Sequence, residues 1–173
     1  MRRRTLAFGM KAAMLFAAAA DAPRAGSDHA TAATNAFNDP FVQVTSAVPG
    51  CPVPGGPAYS PEEARSQSHL RIEKGTTCFQ HGRCRLPNAY MYDHEIIPRV
   101  ARFIQLDERF GHSSIWLTGQ RRWVYLQGCV ESRALADELV REVRLIDDVE
   151  AVMDELMVGV GGKPPYALKG SRQ

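Results

Sequence analysis

Two thiols and an imidazole fall within one short stretch, Cys78-Phe-Gln-His-Gly-Arg-Cys84. Such a group could hold a metal if a fourth ligand came near, and His94 or His69 would be the donor, because closed zinc sites take four nitrogen or sulfur ligands. The spacing is not that of a standard zinc motif, and in an oxidising compartment two thiols so placed close as a disulfide instead. We therefore expect no metal. Cys51, Cys78, Cys84 and Cys129 form an even set, which allows three pairings. Cys78 and Cys84 flank a turn containing Gly82, which favours that bridge and leaves Cys51 to Cys129 as the second.

Catalysis would need a nucleophile or an acid–base pair held in a pocket. Cys129, His94, His112 and Asp93 are the available groups, and none carries a recognised catalytic signature. Cys129 follows Gly128 in a strand-like run, where it reads as a core thiol or half of a disulfide. The pair Asp147-Asp148 reads as a solvated turn before the last strand. A non-enzymatic protein without a cofactor is the expectation. Arg121, Arg122 and Trp123 combine two cations with an aromatic ring that suits a lipid headgroup boundary, so they are the candidate lipid contacts. The plainer alternative is a solvated turn, with Trp123 covering the second face of a sheet. In that case Trp116, Trp123 and Tyr125 would bury themselves under residues 61–89.

These residues need elements to hold them. Met1-Arg-Arg-Arg4 followed by Ala12-Ala-Met-Leu-Phe-Ala-Ala-Ala-Ala20 has the build of a secretory signal peptide over residues 1–20, with a cut as late as 25. The apolar run is too short to span a bilayer, which takes about 20 residues. Its removal takes away Arg2, Arg3, Arg4 and Lys11 and no acid, turning the formal charge from +2 to −2. A near-neutral chain lacks the cation excess that a nucleic acid partner requires. An exported, periplasmic protein follows.

Residues 21–60 are rich in Ala, Pro, Gly, Ser and Thr without a sustained period and read as a linker. Residues 61–91 form an appendage: Ser60-Pro-Glu-Glu63 opens a helix, and His69–Glu73 with Thr76–Phe79 around Lys74-Gly75 looks like a hairpin. From Asp93 the pattern is regular. Ile96, Ile97, Val100, Ala101, Phe103 and Ile104 recur at helical spacing, and Pro98 moves the expected start to about Ile97. Ile115–Leu117 and Trp123–Val130 should pair through a turn at Gly119-Gln-Arg-Arg122, with Val124, Leu126, Gly128 and Val130 on one face. Ser132 would cap a second helix carrying Leu135, Ala136, Leu139, Val140 and Val143. Val149, Val152, Leu156 and Val158 mark a final strand, and residues 160–173 read as a flexible tail.

The order helix, strand, strand, helix, strand, with Val124-x-Leu-x-Gly-x-Val130 and Val149-x-x-Val-x-x-x-Leu-x-Val158, resembles the BON domain over residues 92–159. Two positions depart from that family's pattern. Asp148 stands where a glycine usually precedes the valine of the last strand, and Asp154 where an asparagine is usual. The resemblance implies an α+β fold of αββαβ order, a three-stranded mixed sheet with two helices on one face. It also implies binding rather than catalysis: attachment to phospholipid membranes in the envelope, under osmotic or other envelope stress, or service as an interaction module. Soluble members mostly carry two copies, and one is present here. The alternative function is a periplasmic protein–protein module that uses an open sheet edge. Physically, Gly128 would let a helix approach the sheet closely.

Overall fold

A computed structural model describes residues 32–170. The signal peptide read over residues 1–20 lies outside the described residues. The fold is α+β, with elements β1 (Phe41–Gln43), α1 (Pro61–Glu73), α2 (Thr76–Gln80), α3 (Asp93–Leu106), β2 (Ser114–Gln120), β3 (Trp123–Val130), α4 (Arg133–Arg144) and β4 (Ala151–Val158). The sheet has four strands in the order β1-β2-β3-β4 rather than the three expected. Its first two pairings are antiparallel and β3/β4 is parallel, so the sheet is mixed.

Helical periodicity places the core. Ile96, Ile97, Val100 and Ile104 of α3 and Ala136, Leu139 and Val143 of α4 meet Ile115, Leu117, Val124, Leu126 and Leu156 of the sheet in one buried cluster. Burying each large aliphatic side chain contributes about 1.5–3 kcal/mol, and the two amphipathic helices have no other apolar stripe to bury. The Ser132 hydroxyl accepts from the Leu135 N–H and caps α4 as its sequence requires. Helix α3 begins at Asp93, four residues before the expected start, because the 3-10 turn Ala89–Tyr92 leads straight into it. Pro98 therefore sits inside the helix. It is tolerated where Pro98 and His94 both face solvent, so that water can take the carbonyl bond the proline cannot make.

Close approach of a helix to the sheet depends on Gly119, not Gly128. A Cβ at Gly119 would lie 2.6 Å from Ile97 Cγ1. Gly128 answers a different demand: its φ is +126°, and a Cβ there would lie 2.0 Å from the Ser114 carbonyl oxygen of the neighbouring strand.

Three segments depart from their sequence expectations. Within residues 32–60, Phe41–Gln43 pairs with β2, Thr34 bridges Tyr59, and Cys51 is bonded to Cys129 of β3. The expected linker is thus built into the sheet, because backbone pairing and one covalent bond do what apolar periodicity does elsewhere. The hairpin expected over residues 69–79 is instead the end of α1 followed by α2. Ser60 and Glu63 form a reciprocal capping box that starts α1, and the alternating Leu70 and Ile72 both stay exposed. The tail is docked as well. Tyr166 is buried and donates to the Pro52 carbonyl at 2.8 Å, and Leu168 bridges Pro54.

Candidate functional site

The β2–β3 turn is made by Arg121 and Arg122, whose φ angles are +50° and +70°. Such a two-residue loop is normally filled by Asn-Gly, since side chains other than Asn and Asp resist this region. What holds two arginines there is Asp93. Its carboxylate accepts the Arg121 N–H on Oδ2 and the Arg122 N–H on Oδ1, each at 2.7 Å. Asp93 is almost wholly buried at the start of α3. Burial pushes its carboxyl up to about 7, against the pull of the two N–H donors.

The two guanidinium groups are oriented by aromatic rings. Arg121 lies 3.7 Å over the Trp123 ring, and Arg122 lies 4.9 Å from the centre of the Tyr92 ring while its Nε donates to the Asp148 carbonyl at 2.8 Å. Among the described residues neither arginine is ion-paired with a carboxylate, as Arg71, Arg85, Arg99, Arg109 and Arg133 are. In this they resemble the surface arginines Arg65, Arg83, Arg102, Arg141 and Arg144; what sets them apart is the turn that holds them. The three candidates named from sequence are therefore adjacent, half-buried and pre-oriented at one tip.

A buried polar cluster went unseen in the sequence. Arg71 of α1 forms a bidentate pair with Asp39 at 2.6 and 2.8 Å. Its guanidinium lies 3.8 Å from the Phe37 ring centre and 4.2 Å from that of Tyr90. The Tyr59 hydroxyl donates to Asp39 at 2.7 Å, and the Gln120 amide reaches both. Burial alone would raise the Asp39 carboxyl, but the bonds from Arg71, Tyr59 and Gln120 outweigh it and hold the group below its usual range. Burial and the neighbouring Asp39 push the Tyr59 hydroxyl well up. Arg71 is the one buried residue of α1, so this helix is attached by a charge. No pattern in the sequence distinguishes it from the exposed arginines around it.

Both expected bridges are present, Cys51–Cys129 and Cys78–Cys84. With Cys78 and Cys84 joined, their loop offers a metal no thiolate beside His81 in this disulfide form. Among the described residues no cluster of three or more His, Cys, Asp or Glu is placed to hold one. The second sheet face, which carries Cys129, is reached by Cys51 of the Pro-rich segment, and Gly162 lies near Met157. Trp116 is buried, while Trp123 and Tyr125 are half-buried.

The sheet's two edges are unequal. Strand β1 covers β2, and β4 is left at the other side. There Asp154 turns one carboxylate oxygen onto the Leu156 N–H at 3.1 Å and the other onto Arg133 at 2.5 Å. A charged side chain bonded to its own edge is a guard against strand addition.

No family model, no curated protein and no solved structure matches this chain. The two disulfides fit an oxidising, exported location. No helix among the described residues is long and apolar enough to cross a membrane.

Proposed function

We propose that this is an exported, periplasmic module of BON type that attaches to phospholipid headgroups of the envelope through Arg121, Arg122 and Trp123. One observation carries the reading: two guanidinium groups, without carboxylate partners among the described residues, are carried on a left-handed two-residue turn closed by the Asp93 carboxylate. A protein that only needed the turn would be served better by Asn-Gly. Lipid phosphate is the anion that a half-buried Arg-Arg-Trp tip fits, with the ring at the headgroup boundary and the cations beside it. The αββαβ order of residues 93–158 supports the BON-type reading. The chemistry is binding, with no enzymatic step and no nucleic acid partner. The rival use of an open edge for a protein partner is disfavoured by β1 on one side and Asp154 on the other.

Each arginine near an anionic surface contributes about 1 kcal/mol, so one copy binds weakly and detectably only at low salt. The test is co-flotation of the exported protein with neutral and anionic liposomes, beside the double variant Arg121→Asn/Arg122→Gly. That variant removes both charges while supplying the residues the turn prefers, so it keeps the fold. Flotation with anionic vesicles that weakens with salt and disappears in the variant is expected. Equal flotation of variant and parent, or none with any vesicle, would sink the proposal.

A further inference from the structure

A cleft of about 300 Å³ lies between the appendage and the sheet, lined among others by Cys78, Cys84, Lys74, Arg122, Glu150 and Tyr92. Its volume is at the lower end for small-ligand sites, about 300–1,000 Å³, enough for a molecule of amino-acid to short-peptide size. The walls combine two cations, one carboxylate and a disulfide. Both Cys78 and Cys84 are partly exposed, whereas Cys129 of the other bridge is fully buried. In the second bridge only Cys51 is partly exposed, so the Cys78–Cys84 bond, open at both sulfurs, is the more accessible of the two.

We infer that this cleft is a thiol–disulfide exchange site for a small zwitterionic thiol. Lys74 and Arg122 would take carboxylates and Glu150 an ammonium group, which places the ligand's sulfur at the bond. In the step itself the ligand's thiolate attacks one sulfur of Cys78–Cys84. A new S–S bond forms, the old one breaks, and the electron pair leaves on the other cysteine as a thiolate that takes a proton from water. The product is a mixed disulfide with one free thiol, and the ligand thiol is the reductant consumed. The charges beside the bond favour both the incoming carboxylates and the departing thiolate. Exchange frees α2 from its loop, since the bridge spans only six positions. Arg122 is shared with the lipid reading, so the test substitutes Lys74, which lines the cleft and takes no part in that reading.

The experiment treats the oxidised, exported protein with glutathione or with uncharged 2-mercaptoethanol and follows adducts by peptide mass spectrometry. Each rate is divided by that of the same thiol with a small soluble disulfide, which removes intrinsic nucleophilicity. Glutathione is expected to react about tenfold faster on this scale, with the adduct on Cys78 or Cys84. Lys74→Glu, which alters an exposed side chain, should bring the ratio close to one. A ratio near one in the parent protein, an unchanged ratio in Lys74→Glu, or first reaction at Cys51–Cys129 would each overturn the assignment.

Discussion

Arg71→Met removes the guanidinium and keeps most of the side chain's length, so it isolates the charge that attaches α1. In the folded protein Arg71 is 8% exposed and Asp39 5%, and the two are joined by paired bonds of 2.6 and 2.8 Å. Removing one partner of a buried pair leaves the other charge uncompensated and costs about 3–5 kcal/mol. Tyr59 and Gln120 still donate to Asp39, which places the expected loss nearer the lower value. Lost contact with Phe37 and Tyr90 adds about 0.5–2 kcal/mol per ring. Because α1 buries nothing else, much of this loss should appear as local opening of residues 61–91. Hydrogen exchange measured by peptide should show the amides of α1 and α2 losing protection while those of α3, β2, β3 and α4 keep theirs. Asp39→Asn should act similarly, and the double variant should cost less than the two single losses summed. A loss below about 1 kcal/mol, or protection lost evenly over the whole chain, would refute the idea that the Arg71–Asp39 pair attaches α1.

Other consequences are open to measurement. Asp93 has its folded pKa raised to about 7, so its contribution to stability is complete below about pH 4 and is lost as pH rises through 7; denaturant midpoints of Asp93→Asn should be flatter than the parent's over that range. Asp39 works in the opposite sense, its depressed value giving stability above about pH 4 that disappears in stronger acid. Gly128→Ala should cost at least about 1–3 kcal/mol from its positive φ alone, with the clash on Ser114 added, and an unchanged melting temperature would contradict the strand geometry. Loop-closure entropy gives roughly 4.5 kcal/mol for removing Cys51–Cys129 and roughly 2 for Cys78–Cys84, so Cys51→Ser/Cys129→Ser should be the more damaging pair in a melting comparison. Asp154→Val unblocks the β4 edge and should produce oligomers by gel filtration in protein that still folds.

The regular half of the fold was legible because its signals are local. Ser132 with Leu135, Ala136, Leu139 and Val143 spells out a capped amphipathic helix, and the alternation of Val124, Leu126 and Val130 spells out a half-covered strand. Residues 32–60 carried no such period, because their place is set by partners far along the chain: β2 for Phe41–Gln43 and Cys129 for Cys51. The stretch His69–Glu73 misled for a definite reason. Leu70 and Ile72 alternate as in a strand, yet in α1 they face solvent and the arginine between them goes inside. The basic turn was legible as composition, but the clamp that gives it meaning was not, since Asp93 lies 28 residues from Arg121 in sequence.

The cysteines also impose an order of events. A chain made from its N-terminus presents Cys51, then Cys78 and Cys84, before Cys129 exists, so the first thiols able to meet include a wrong pair. Closing Cys78–Cys84 spans six positions and needs only a local turn, whereas Cys51 must wait for a strand 78 positions later. The short bridge thus acts as a temporal protecting group: by consuming two competitors early, it leaves Cys51 a single partner when β3 finally arrives.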